Sequence, residues 1–100
     1  MIVVAAALLL GETYLQRTLN DPPELTVSSD KTIASVEKCV LFDSGIMVPP
    51  LVYKSEGDII VSYPGTNAAR SMIRIRSDGG KTIVTAWHGA RFVEAVKQCS

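Results

Sequence analysis

The stretch that most restricts what this chain can fold into is residues 70–99. Arg70-Ser71-Met72-Ile73-Arg74-Ile75-Arg76 alternates, Ser77-Asp78-Gly79-Gly80 interrupts it, and Lys81-Thr82-Ile83-Val84-Thr85-Ala86-Trp87 resumes a strand-like run. Phe92, Ala95, Val96 and Cys99 then recur at i, i+3, i+4 and i+7. Side chains alternate across a strand and repeat every 3.6 residues around a helix, so this order predicts a β-hairpin feeding a helix. Asp78-Gly79 and Gly79-Gly80 both suit a two-residue primed turn, and the register stays open between them. Either register puts Ile73 and Ile75 on one face with Val84 and Ala86. Arg70, Met72, Arg74, Arg76, Ile83, Thr85 and Trp87 then share the other.

A second helix is expected upstream. Ser29, Asp30 and Thr32 are each competent N-caps, because a short side-chain oxygen can accept from an orphan amide of the first turn. Ile33, Val36 and Val40 follow at helical spacing with Cys39 beside them, and Gly45 is the expected stop. Pro49-Pro50 leads into two strand-like runs, 51–55 and 59–63, separated by Glu56-Gly57-Asp58, which reads as a hairpin. Pro64-Gly65 closes the second run as a turn. The expected fold is therefore α+β: a helix, a four-stranded antiparallel meander and a C-terminal helix, with both helices on one sheet face.

The N-terminal part carries different signals. Met1 to Leu10 is an unbroken apolar run, half the roughly twenty residues that a bilayer-spanning helix takes. Residues 1–12 have the length and Ala/Leu character of a signal-peptide core, without the positive n-region. A truncated leader is one reading, and a strand or helix of the fold itself is the other. Leu8-Leu9-Leu10-Gly11 resembles the approach to a lipoprotein cleavage site, but Glu12 stands where the lipid-bearing cysteine would be, so lipidation is not supported. Residues 13–28, with Pro22-Pro23, read as a linker whose Glu24 to Val27 could enter the domain as a short edge strand. Residues 29–100 form the single expected domain, of a size that supports a modest core.

Composition narrows the function classes. The chain carries no formal net charge, which argues against a nucleic-acid or membrane-surface binder acting through bulk electrostatics. Residues 1–50 hold three basic against six acidic side chains, and residues 51–100 hold seven against four, so the halves carry −3 and +3. Two cysteines far apart in a small chain with an apolar leader suggest one Cys39–Cys99 disulfide in an oxidising compartment. Two buried free thiols in a cytoplasmic domain are the alternative.

Val36-x-x-Cys39 and Phe92-x-x-Ala95-Val96-x-x-Cys99 frame the meander behind a leader and a Ser/Thr-rich entry. In this the chain resembles small bacterial exported proteins, envelope or phage-associated, in which two helix cysteines flank a β-meander. The resemblance implies an exported domain with a disulfide and implies no activity. Glu12 departs from the lipoprotein-type members, so membrane anchoring does not carry over.

No catalytic motif emerges. The single histidine, His88, sits where the last strand meets the last helix, and nothing in the sequence brings Cys39, Asp43 or Ser71 beside it as a nucleophile–base pair requires. His88 with two distant cysteines lacks the paired spacing of a zinc site, so neither a metal nor a cofactor is expected. Thr66-Asn67-Ala68-Ala69 has neither a phosphate-loop nor a glycosylation pattern. What remains is the sheet face carrying Arg70, Met72, Arg74, Arg76 and Trp87. It is read either as a solvated face or as a recognition surface, since a tryptophan flanked by arginines has the composition of interface hot spots. The function expected is a non-enzymatic periplasmic or secreted interaction module that binds a protein partner or a second copy through this face. The alternative is a small domain binding nucleic acid or another anionic ligand there.

Overall fold

The computed structural model describes residues 17–46, 49–63, 71–87 and 89–100. Elements follow in the order β1 (Leu25–Ser29), α1 (Ile33–Lys38, continuing as a π-helical turn through Cys39–Asp43), β2 (Leu51–Ser55), β3 (Asp58–Ser62), β4 (Met72–Asp78), β5 (Lys81–Trp87) and α2 (Ala90–Cys99). The strands form one antiparallel sheet in the order β1-β5-β4-β3-β2. The fold is α+β.

The central hairpin sets the faces. Asp78 pairs with Lys81, so Gly79 and Gly80 are the turn, with φ of 57° and 83°. Two successive left-handed residues twist the chain in the sense that paired strands require, and glycine adopts them without steric penalty. Ile73 then lies opposite Ala86 and Ile75 opposite Val84. Ile59 and Val61 of β3 extend this apolar face, and it packs against Val36 and Val40 of α1 and Phe92, Ala95 and Val96 of α2 in one core. Both helices thus cover the same side of the sheet. Tyr63 closes one end of the core, its ring 4.7 Å from that of Phe92.

Among the described residues the sheet has five strands where the expected meander has four. Leu25–Ser29, which overlaps the Glu24 to Val27 segment read as the end of a linker that could enter as a short edge strand, pairs along β5 with Leu25 opposite Ala86 and Val27 opposite Val84. Its two apolar side chains are half-buried against the core. Two alternations after Pro22-Pro23 are too few to read locally as a strand. The free edge of β5 supplies the partner that makes them one, and prolines are tolerated there because the position is an edge.

Local bonds fix how the helices sit. The hydroxyl of Thr32 accepts from the Ser35 amide at 3.1 Å and caps α1. The carbonyl of Cys99 accepts from the Lys31 ammonium at 3.4 Å, and that of Ser100 from the Ser29 hydroxyl at 3.0 Å. A cation at a helix C-terminus also complements the helix dipole. The opposite charges of the two halves meet in Glu37–Lys54, at 2.7 Å, and in Asp30–Lys81. At the start of α2 the Gly89 carbonyl accepts from the amides of Phe92 and Val93, and the Gly89 amide donates to Glu24 at 3.1 Å.

Cys39 and Cys99 are joined by a disulfide with a Cα–Cα separation of 5.5 Å, linking α1 to the end of α2 across 60 positions of sequence. Closing a loop of that length removes chain entropy from the unfolded state equivalent to about 4 kcal/mol. Reduction, or the double substitution Cys39→Ser/Cys99→Ser, is therefore expected to lower the melting temperature by roughly 15–20 °C. Superimposable calorimetric scans with and without reductant would contradict this. Gly89 tests the helix entry, because a Cβ built there meets the Phe92 ring at 2.6 Å. Gly89→Ala is expected to destabilise by about 1–3 kcal/mol in chemical denaturation, and Phe92→Leu in the same chain should recover part of that loss.

Candidate interaction surface

The side of the sheet away from the helices is built by the same alternation. Pairing aligns Thr26, Thr85, Arg74, Ile60 and Tyr53 in one row across all five strands, and Ser28, Ile83, Arg76, Asp58 and Ser55 in the next. A third row, Trp87, Met72, Ser62 and Leu51, lies at the end of the sheet nearer α2. Arg74, Arg76, Met72 and Trp87 therefore do share one face. Arg70 and His88 lie outside the described residues.

The face is not uniformly open. Met72 is 1% exposed and Trp87 5%, with Ser62 and Thr85 also buried. This corrects the expectation of an exposed tryptophan between arginines. Its physical cause is visible at the indole, whose Nε1–H donates to the Asp21 carbonyl at 3.0 Å. Residues 17–24, expected to be linker, instead pack against this end of the sheet: 17–20 are helical, Thr18 is buried, and the Glu24 amide donates to Ala86 at 2.9 Å. A buried tryptophan with a satisfied N–H is an anchor of the fold.

The remaining half is open. Ile60, Arg74, Arg76 and Ile83 are partly exposed, and Thr26, Ser28, Tyr53 and Leu51 are exposed. Arg74 is not a free cation. Its Nε and Nη2 donate to the two carboxylate oxygens of Asp58 at 3.0 and 2.6 Å, a bidentate pair along the diagonal of the β3–β4 ladder. Hydrogen bonding to Asp58 raises the Arg74 guanidinium above its ordinary value despite partial burial. Asp30 is held below the usual carboxylate range by the hydrogen bond from Lys81 and then by its charge. On this face the structure adds residues that sequence reasoning did not single out: Asp58, Ile60, Tyr53 and Leu51. The 51–55/59–63 hairpin was legible, but only the pairing of β3 with β4 brings it beside Arg74.

β2 has a further property. All five of its residues are exposed, and among the described residues it has no partner on its outer side. Leu51, Val52 and Tyr53 are 51%, 38% and 42% exposed, which leaves Phe42 as the other large apolar side chain displayed among the described residues. Both cysteines are bonded to each other and so offer neither thiolate nor metal ligand. Among the described residues no three His, Cys, Asp or Glu side chains gather as a metal cluster, and no helix is long and apolar enough to cross a membrane.

Comparison with known proteins returns no matching family, no matching curated protein and no matching solved structure.

The core beneath this sheet has its own titratable reporter. Burial pushes the Tyr63 phenol up to about 12. A phenol harder to ionise in the folded than in the unfolded chain contributes stability that is complete below pH 10 and is lost as pH rises through about 12. Absorbance titration of the phenolate should show one tyrosine ionising late, together with alkaline unfolding, and Tyr63→Phe should remove that component. A wild-type titration with every tyrosine ionising near pH 10 while the fold persists would refute the burial of Tyr63.

Proposed function

We propose that this protein is a non-enzymatic interaction module of an oxidising compartment, periplasmic or secreted, which binds a protein partner through the open half of the outer sheet face and the adjoining edge strand β2. The observation that carries this reading is the concentration of exposed apolar side chains on β2, next to the partly exposed Ile60, Arg74 and Arg76. Edge strands that display both unpaired backbone and apolar side chains are the surfaces onto which other chains add strands. The Cys39–Cys99 bond supports the compartment, because such bonds persist where thiols are not kept reduced. The resemblance to exported bacterial proteins with two helix cysteines agrees with it.

The anionic-ligand alternative would use Arg70, Arg74 and Arg76. Charge pairing weighs against it at Arg74, whose guanidinium already faces Asp58 on this sheet face. A cation already neutralised by its own carboxylate releases few counterions on meeting a phosphate, and that release supplies most of the affinity for nucleic acid.

The two readings separate by salt and by variant. A protein partner should be retained from envelope extract at high ionic strength, and Leu51→Asp/Tyr53→Asp should reduce its recovery at least about tenfold, the effect of losing a buried apolar anchor. Binding to a labelled oligonucleotide that falls steeply with salt, is abolished by Arg76→Glu and ignores the Leu51/Tyr53 change would establish the alternative instead.

A further inference from the structure

The hydrogen-bond pattern of the sheet says which backbone groups of β2 are unused. The Tyr63 amide donates to Ser71 and the Ser77 amide to Gly57, so the odd-numbered residues of β3 and its flanks bond to β4. In an antiparallel ladder the bonding direction alternates along each strand, so Asp58, Ile60 and Ser62 bond to β2, at Ser55, Tyr53 and Leu51. The N–H and C=O groups of Val52 and Lys54 therefore point outward at the open edge. One step further, Pro50 offers a carbonyl there but has no N–H.

This pattern is self-complementary in one register. With two β2 strands antiparallel about a two-fold axis at Tyr53, Val52 of each copy stands opposite Lys54 of the other. Every outward N–H and C=O of those two residues then has a partner, giving about four inter-chain hydrogen bonds. Shifting the pairing two residues one way sets Lys54 opposite Lys54 and carries Val52 past the end of the partner strand to Glu56 of the turn, so the outward groups of Val52 lose their partners. Shifting it two residues the other way presses the Lys54 carbonyl against the Pro50 ring, where no donor exists. In the favoured register Tyr53 faces its own symmetry mate, and Leu51 falls opposite Ser55 beside that pair. Tyr53 and Leu51 of both copies thus lie on the same outer face, around the axis.

The geometry points to a second copy of this chain as an occupant of the β2 edge, joining two five-stranded sheets into one continuous sheet. The inference rests on the reading of β2 as a contact surface and gives that surface its partner. A five-residue edge buries less than the roughly 800 Å² per partner typical of stable interfaces. The dimer is thus reversible and dissociates on dilution.

The test uses the oxidised full chain. Sedimentation velocity from about 10 μM to about 1 mM should show a monomer–dimer equilibrium, the range expected of a weak interface. Val52→Pro removes only an outward N–H, a position at which an edge strand accepts proline. With an unchanged circular dichroism spectrum, it should shift the dissociation constant at least about tenfold, as should Tyr53→Lys, which puts two ammonium groups on the axis. The register has its own readout. At a non-hydrogen-bonded antiparallel pair the Cα atoms lie about 4.5 Å apart, within disulfide range. Tyr53→Cys should therefore form a covalent dimer on mild oxidation at least about ten times faster than Ser55→Cys, which has no symmetry mate in reach.

A wild-type chain that stays monomeric up to about 1 mM overturns the inference. So does equal cross-linking at positions 53 and 55. If such a monomer still captures a partner in a Tyr53-dependent manner, the inference fails and the wider reading of the surface stands. If dimerisation is seen and no other partner is found, the inference holds and the second copy is the partner that the reading called for.

Discussion

The fold depends first on the pairing of β4 with β5 around Gly79-Gly80. Because side chains alternate strictly along a strand, that single register decides the whole division of labour between the two sides of the sheet. Ile73, Ile75, Val84 and Ala86 are fully buried under the helices. A slip of one residue would turn one strand over against the other, bringing into the core either Arg74 and Arg76, with loss of the Asp58 pair, or Ile83 and Thr85. The two glycines with positive φ make such a slip costly, since the turn then loses the residues that adopt its conformation without strain.

Around this hairpin the remaining elements are attached by a few long-range links of different kinds. β1 adds to the free edge of β5, α2 follows β5 directly, and the disulfide ties α1 to α2. The bond joins the two helices on the core side of the sheet, opposite the candidate surface, so it stiffens the scaffold without taking part in the surface itself. Lys31 and Ser29, at the junction of β1 and α1, hold the last carbonyls of the chain. The two sides of the sheet thus differ in kind, with the core and the disulfide on the helical side and the partly open face on the other.

The outer side is itself divided. Asp21 and its neighbours close the end that holds Trp87 and Met72, and the opening lies toward β2. What is left exposed is an apolar edge beside Arg76 and the Arg74–Asp58 pair. Such a surface favours recognition by shape and backbone hydrogen bonding over attraction by charge. Pro50 and Lys54 are residue types with which natural sheets protect their edges.

The sequence by itself determined the elements and their faces. The N-cap at Thr32, the helical stripes of α1 and α2, both hairpins, and the grouping of Ile73 with Val84 are each written in residues close together in the chain. Capping, turn chemistry and periodicity act over a few residues, so they can be read locally. The cysteines, each beside an apolar helical stripe, made their bond legible too. Only the tertiary structure decided that the candidate strand after Pro22-Pro23 adds to β5, that Trp87 is buried and that Asp58 holds Arg74. The same is true of β2 as an open edge beside that pair. These outcomes depend on which edge of the sheet stays free and which segment returns to cover a face. Such choices are made between residues distant in the chain, and no local pattern encodes them.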